Sequence, residues 1–217
     1  MSSFRPSGFG NISPMVKNLL IINGVIFALM MLVEPIGDVL FTYGALYFPG
    51  SKNFVFTQFI SYMFLHAGFF HILFNMFGLW MFGTAIERVW GWKRFLNFYL
   101  ACGLGAAVVH ILVMYFQYHE AIIIPGNRDL IPPTVGASGA IYGLLVAFGY
   151  LYPNNKILIY FLFPIKAKYF VVLLIAIDLF SGFSNSGQSN IAHFAHVGGA
   201  VTGLIICFAG NLRRFIK

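Results

Sequence analysis

Six apolar segments constrain this chain more than any other feature of its sequence. A helix needs about 20 apolar residues to cross a hydrocarbon core of about 30 Å, and each segment is close to that length. Polar or turn-forming stretches separate the segments. The sequence therefore predicts an all-α membrane protein with a long first outer loop and six transmembrane helices, near residues 18–34, 70–89, 95–116, 136–152, 168–183 and 194–211.

The composition excludes an ordinary soluble domain. Hydrophobic residues make up 59% of the 217 residues and charged residues 9%, whereas about a quarter of a soluble domain is charged. The net charge of +7 could suggest a nucleic-acid ligand, but the basic residues are placed as membrane topology requires, so we expect no such partner. Cys102 and Cys207 both lie in apolar segments, where a small hydrophobic role is expected.

The basic residues indicate the orientation in the membrane. If the N-terminus is inside, eleven of the thirteen Lys and Arg residues fall on the inner side, and only Lys52 and Arg128 lie outside. Basic residues favour the cytoplasmic side. We therefore expect a multi-pass protein of the cell's inner or plasma membrane with both termini cytoplasmic. Residues 1–17 are expected to form a short tail, 18–211 the membrane domain and 212–217 a basic tail.

The first segment is expected to remain as a helix. A short basic lead precedes it, as in a secretory signal, but the following stretch MMLVEPIG offers no small-residue cleavage site of the usual kind.

The fourth segment is unusually short. Pro133 and Pro153 bound it, which limits its helix to about 17 residues, or about 25 Å. If its inner end reaches the cytoplasmic interface, Ser138 in the stretch GASGAIYG lies below the outer surface. Backbone that arrives there as a loop must be buried in protein or line a wet cavity. The alternative is that these small residues only pack against a neighbouring helix.

Three segments bring polar residues to a similar depth. The second opens with His71 and Asn75, four residues apart and so on one helical face. The fourth opens with Ser138, and the sixth with His193 and His196. Ionisable and strongly polar groups inside a membrane are costly, so each is a candidate for function.

These residue types fit acyl transfer. A serine becomes a nucleophile when a base such as histidine takes its proton, and an amide, a histidine or a backbone N–H can stabilise the oxyanion. His196 is followed by Gly199 and Gly203, a spacing that lets helices approach closely.

The motifs resemble those of the rhomboid intramembrane serine proteases. Three motifs stand in the family's order on alternate helices: HxxxN as His71 and Asn75, GxSG as Gly136 to Gly139, and HxxGxxxG as His196, Gly199 and Gly203. Two further matches are Tyr142, which corresponds to the tyrosine that packs on the catalytic imidazole, and a GxxxExxxG pattern of Gly83, Glu87 and Gly91.

The resemblance implies a six-helix rhomboid-like bundle that cleaves transmembrane protein substrates within the lipid bilayer. It implies a Ser138–His196 dyad without an aspartate, and stabilisation of the oxyanion by Asn75 and His71. The supporting residues would be Gly136, Gly139, Tyr142, Gly199 and Gly203. HExxH is absent from the sequence, and we expect neither a metal nor another cofactor. Many family members carry a Trp-Arg pair in the first outer loop, and residues 35–69 contain neither residue.

Two other functions remain as alternatives at this stage. One is a catalytically silent relative that binds membrane clients. The other is a small transporter with a path lined by His71, His193 and His196, although such a path needs polar residues through the full membrane depth.

Several polar residues receive structural interpretations. Asn75 could form a hydrogen bond that holds two helices together instead of donating to an oxyanion. A structural role is assigned to His66, His110 and His119. Asp178 could orient a histidine as the third member of a triad. It is interpreted instead as marking the outer end of the fifth helix.

Overall fold

The computed structural model describes residues 12–124, 126–159, 163–184 and 189–209. Over these residues it is a helical bundle, as the apolar segments predict, with one small antiparallel strand pair that they do not predict. The helices are α1 (Pro14–Leu32), α2 (Glu34–Gly44), α3 (Gln58–Ser61), α4 (Phe69–Gly78), α5 (Thr84–Trp90), α6 (Trp92–Gln117), α7 (His119–Ile123), α8 (Ser138–Leu151), α9 (Ala167–Ser184) and α10 (Ser189–Ala209). A π-helical turn, Leu79–Gly83, joins α4 to α5, and 3₁₀ turns occupy Tyr62–Phe64 and Asn127–Leu130.

The long helices are suited to a membrane. Within the described residues, four are long and apolar enough to cross one: Pro14–Leu32, Phe69–Trp90, Trp92–Gln117 and Ala192–Ala209. Their outward faces carry large exposed hydrophobic side chains, which a water-soluble protein would keep in small patches. Together these features make the chain an integral membrane protein.

Helix α8 forms the centre of the bundle. Ten of its fourteen residues are buried, and α6, α9, α10 and the π-helical turn pack around it. The small residues of α8, among them Gly139, Gly143 and Gly149, let these neighbours approach closely. The length of α8 is about 21 Å at 1.5 Å per residue, less than the hydrocarbon thickness, as the two prolines predict.

A β-hairpin connects α8 to α9. Strands β1 (Lys156–Ile159) and β2 (Phe163–Lys166) pair antiparallel, with Lys156 opposite Lys166. The sequence pattern does not predict these strands. Their apolar residues lack alternation and turn signals, so they could not be distinguished from the edge of a membrane segment.

The first outer loop is held by Gln58 in the absence of the Trp-Arg pair. Its side chain is fully buried. The amide oxygen accepts a hydrogen bond from the backbone N–H of Tyr47 at 3.3 Å, and the amide nitrogen donates to the carbonyl oxygen of Asn53 at 2.7 Å. The Ser61 hydroxyl adds a bond to the carbonyl of Gly44 at 2.9 Å. These bonds join residues 44–47 to residues 53–61 and so fix the shape of the loop before α4 begins.

Glu87 of α5 caps the N-terminus of α1. Its carboxylate accepts hydrogen bonds from the backbone N–H groups of Met15 and Val16, each at 2.9 Å, and from the Ser13 hydroxyl. Because the first N–H groups of a helix have no intrahelical acceptor, they need such a partner, and a negative charge is favourable at that end. Glu87 therefore fastens α1 to the end of the Phe69–Trp90 helix.

We expect Glu87→Ala to lower the free energy of unfolding by about 3 kcal/mol, since it leaves two buried donors and one part-buried donor without their charged acceptor. Denaturation in detergent micelles measures this loss. Glu34→Ala is the matched control, because it removes an exposed carboxylate from the first turn of α2 and should cost at most about 1 kcal/mol. Equal losses would show that Glu87 is not a structural cap.

Candidate active site

Ser138 and His196 meet inside the bundle. Ser138 is the first residue of α8, and His196 lies on α10. The imidazole Nε2 is 2.8 Å from the serine Oγ, a hydrogen-bond distance. Tyr142 stacks on the other side of the imidazole, with ring centroids 4.5 Å apart and planes inclined by 10°. The pair has the geometry of a nucleophile and its base.

Glycines on both helices allow this short distance. A methyl group at Gly199 of α10 would collide with the carbonyl oxygen of Gly139 of α8. One turn further along, a methyl group at Gly203 would lie 2.9 Å from Cα of Gly143. The helices thus touch backbone to backbone, as small residues allow.

His71 directs a ring N–H toward the residues before Ser138. The backbone N–H of Ala67 donates to His71 Nδ1 at 3.4 Å. A neutral imidazole that accepts at Nδ1 carries its proton on Nε2. A methyl group at Gly136 would lie 2.7 Å from that Nε2, so the donor nitrogen lies over the chain two residues before the nucleophile.

His66 lies against His71 and is held neutral. The two rings meet edge to face, with centroids 5.0 Å apart. Burial, and secondarily the neighbouring His71, lowers the pKa of His66 to about 4. An uncharged His66 places no positive charge beside the site at neutral pH.

Asn75 lies one turn after His71 on α4 and is buried. Its amide nitrogen donates to the carbonyl oxygen of His71 at 2.8 Å. An amide nitrogen has two hydrogens, so the second remains available to a group in the cavity. This bond to its own helix fixes the orientation of the side chain.

The segment that leads into α8 is hydrogen-bonded to the first outer loop. Thr134 and Leu46 exchange backbone bonds at 3.0 and 2.9 Å, and the N–H of Gly136 donates to the carbonyl oxygen of Tyr62 at 2.9 Å. These bonds satisfy the backbone as a loop inside a membrane requires. Gly136 has φ +129°, a conformation that side chains other than hydrogen disfavour.

One cavity of about 490 Å³ joins the residues named above. Its wall includes Ser138, His196, His71 and Asn75. The structure therefore brings both members of the expected dyad and both expected oxyanion donors to one space, together with the supporting residues Gly136, Gly139 and Tyr142.

The interpretation of Asp178 as a marker of the helix end is wrong. Asp178 lies six residues before Ser184, the last residue of α9, and its carboxylate faces α10. One oxygen is 2.6 Å from Nδ1 of His193, and the other is 3.3 Å from Nδ1 of His196. An isolated acidic residue in an apolar run was the sequence signal for a role of Asp178. The sequence does not show toward which helix its side chain points.

Comparison with known proteins identifies the family. The family model described as the Rhomboid domain matches residues 53–212. The chain belongs to the rhomboid family. Its helical bundle is thus that of a rhomboid, as the resemblance implied.

Individual relatives match the same region. This rhomboid is similar to "RHOMBOID-like protein 12, mitochondrial" of Arabidopsis thaliana, at 32% identity over 151 residues, which are 67% of this chain and 44% of the relative. It is 34% identical over 148 residues to "Rhomboid protease GluP" of Bacillus subtilis, covering 68% of this chain and 25% of GluP. "Putative rhomboid protease YdcA" of the same species is 28% identical over 168 residues, 76% of this chain and 74% of YdcA. The chain therefore spans less than half the length of the first two relatives.

We expect Gly199→Ala to destabilise the rhomboid by about 1–3 kcal/mol, the usual cost of overpacking, because the added methyl group meets the Gly139 carbonyl. Gly24→Ala is the control, since Gly24 lies on the exposed face of α1 and has no heavy atom within 4 Å of an added methyl group. Thermal unfolding of both proteins in detergent tests this. A Gly199→Ala protein as stable as Gly24→Ala would show that the contact between α8 and α10 does not require glycine at position 199.

Proposed function

We propose that this rhomboid is an intramembrane serine endopeptidase that cleaves peptide bonds in or near the transmembrane segments of other membrane proteins. The observation that carries the proposal is the 2.8 Å separation of His196 Nε2 and Ser138 Oγ, in a cavity that also holds His71 and Asn75. Relatives named as proteases support it.

The acylation step uses the Ser138–His196 dyad. The Ser138 oxygen attacks the carbonyl carbon of the substrate while its proton passes to His196 Nε2. The tetrahedral intermediate then expels the amine of the leaving peptide, which takes that proton from His196. The remaining half of the substrate is an ester on Ser138, and the base is again neutral.

The oxyanion is stabilised by three groups of this chain. The Asn75 amide and His71 Nε2–H supply side-chain donors, and the Ser138 backbone N–H supplies a third. Because Ser138 begins α8, its N–H belongs to the unpaired first turn, where the helix dipole also favours negative charge. Donors fixed before the reaction stabilise the transition state most efficiently.

Hydrolysis completes the cycle. His196 takes a proton from a water molecule, the resulting hydroxide attacks the ester carbon, and the protonated base returns the proton to Ser138 Oγ. The cavity between α4, α8 and α10 gives this water its route. The polar side chains of the cavity, Ser138, His71, Asn75 and His196, can hydrogen-bond such a water.

The cavity rim favours an apolar substrate. Phe70 and Phe74 of α4 line it with 70% and 69% of their surfaces exposed. Aromatic side chains bind apolar segments through large contact areas. We therefore propose transmembrane protein segments as substrates, presented from the bilayer.

The topology proposal follows the charge distribution. We place both termini in the cytoplasm, the protease domain at residues 18–211, and short tails at 1–17 and 212–217. In this orientation the start of α8 faces the outer side, and the hairpin with Lys156 and Lys166 faces the cytoplasm.

Replacing either member of the dyad should abolish activity. We expect Ser138→Ala and His196→Ala to lose cleavage of a fluorogenic transmembrane substrate and labelling by a fluorophosphonate, since nucleophile and base act as one unit. The thermal midpoint of Ser138→Ala should hardly change. Ser51→Ala, whose hydroxyl makes no hydrogen bond within the described residues, and the exposed His119→Ala are the matched controls and should keep activity. Proteolysis at the wild-type rate by purified Ser138→Ala protein would end the proposal, whereas a wild-type protein that neither cleaves nor labels would favour a silent client-binding rhomboid.

The variant Asn75→Ala tests whether Asn75 is an oxyanion donor or only holds neighbouring helices together. Loss of one donor costs about 100-fold to 1,000-fold in kcat, with KM nearly unchanged because the donor acts mainly in the transition state. Asn23→Ala is a close control, since the Asn23 amide of α1 is buried and donates to the carbonyl four residues earlier at 2.8 Å, as Asn75 does. Kinetics beside denaturation curves measure both effects. If Asn75→Ala keeps more than about a third of wild-type kcat, the donor role passes to His71 and the Ser138 N–H.

A further inference from the structure

Asp178 links the histidines of α10 to the neighbouring helix α9. Its Oδ1 is 2.6 Å from His193 Nδ1, and its Oδ2 is 3.3 Å from His196 Nδ1. Tyr142, which stacks on His196, has its hydroxyl close to the same carboxylate. One carboxylate therefore lies against the base and against two side chains beside it.

The carboxylate is sheltered from water. The Asp178 side chain is only 7% exposed, compared with 27% for His193 and 21% for His196. A buried carboxylate must be paired with donors, because isolated burial of a charge is very costly. The same shelter strengthens its interaction with a nearby imidazolium, which is little screened there.

We propose that Asp178 is a positioning residue for His196 and that His193 holds the carboxylate in place. This assignment rests on the proposed function of the Ser138–His196 pair. It extends the dyad to a serine, histidine and aspartate arrangement in which α9 contributes the third side chain. The short bond to His193 fixes one carboxylate oxygen, so the other remains directed at His196.

The effect on the base is to select its reactive tautomer. A carboxylate accepts a hydrogen bond and does not donate one, so His196 carries its proton on Nδ1 when it faces Asp178. Nε2 then presents its lone pair to the Ser138 hydroxyl, 2.8 Å away. After proton transfer, the negative charge of Asp178 stabilises the imidazolium.

A metal site is the other way to interpret this cluster, because ligand atoms lie close together on Asp178, His193 and His196. The distances between these atoms favour hydrogen bonds instead. Tetrahedral ligands at about 2.0–2.1 Å from zinc lie about 3.3 Å from each other. The 2.6 Å between His193 Nδ1 and Asp178 Oδ1 is shorter and matches a charge-assisted hydrogen bond.

The test is the reaction of Ser138 with a fluorophosphonate in detergent-purified protein that comprises the whole chain. The Ser138 oxygen attacks phosphorus, fluoride leaves, and His196 takes the hydroxyl proton, so the rate depends on the base. We expect Asp178→Asn to lower the maximal labelling rate by between about tenfold and the roughly 10⁴-fold loss known for soluble triads. The half-saturating probe concentration and the thermal midpoint should stay near the wild-type values. Asp38→Asn, on the exposed face of α2, should leave all three unchanged.

Nitrogen-15 NMR of histidine-labelled wild-type protein tests the tautomer without any change at Asp178. His196, assigned by the loss of its signals in His196→Ala, should carry its neutral-form proton on Nδ1. A proton on Nε2 would overturn the assignment, and this measurement decides the question if Asp178→Asn does not fold.

The two proposals fail in different ways. If wild-type protein is labelled on Ser138 and Asp178→Asn is labelled equally fast, Asp178 is not a positioning residue and the dyad stands alone. If wild-type protein is not labelled at all, the proposed protease function fails and the role of Asp178 fails with it. A labelling rate that falls only in proportion to a loss of folded protein would also contradict the positioning role.

Discussion

The candidate site depends on the backbone contact between α8 and α10. A side chain larger than hydrogen at Gly199 would separate the two helices, because the Gly139 carbonyl occupies the space that a methyl group needs. The His196 imidazole spans the gap to Ser138 only at this separation. Hydrophobic burial drives helices together weakly inside a lipid phase, so shape and close packing must fix their distance. The glycines thus set the distance between base and nucleophile.

A second constraint is that backbone polar groups inside a membrane need hydrogen-bond partners or must line a wet cavity. The chain reaches Ser138 as an extended segment, and its N–H and C=O groups bond to Leu46 and Tyr62 of the first outer loop. Glu87 meets the same requirement for the first turn of α1. These bonds let a short central helix begin inside the bundle, where a cavity can expose its first residue. The first outer loop therefore holds in place the segment that leads into Ser138.

Much of this arrangement could be predicted from the sequence. The apolar runs gave the helix positions, and the proline boundaries gave the shortness of α8. The i, i+4 spacing placed His71 and Asn75 on one helical face. The partner of His196 on α9 could not be predicted, because α9 is apolar nearly all round and no period shows which face carries Asp178. The hairpin of Lys156 and Lys166 was missed because its apolar strands have no alternation. Gln58 was missed because a buried glutamine has no local sequence signal, and only tertiary contacts reveal its role.

The central claim is hydrolysis of a peptide bond inside or beside a membrane segment by Ser138 and His196. Its most direct measurement is mass spectrometry of single-pass membrane proteins incubated with this rhomboid in liposomes made in oxygen-18 water. The account predicts new carboxyl ends in or next to the apolar segment, each carrying oxygen-18 from the water that hydrolyses the acyl-enzyme. Cleavage confined to distant soluble loops, or identical products from Ser138→Ala protein, would contradict it.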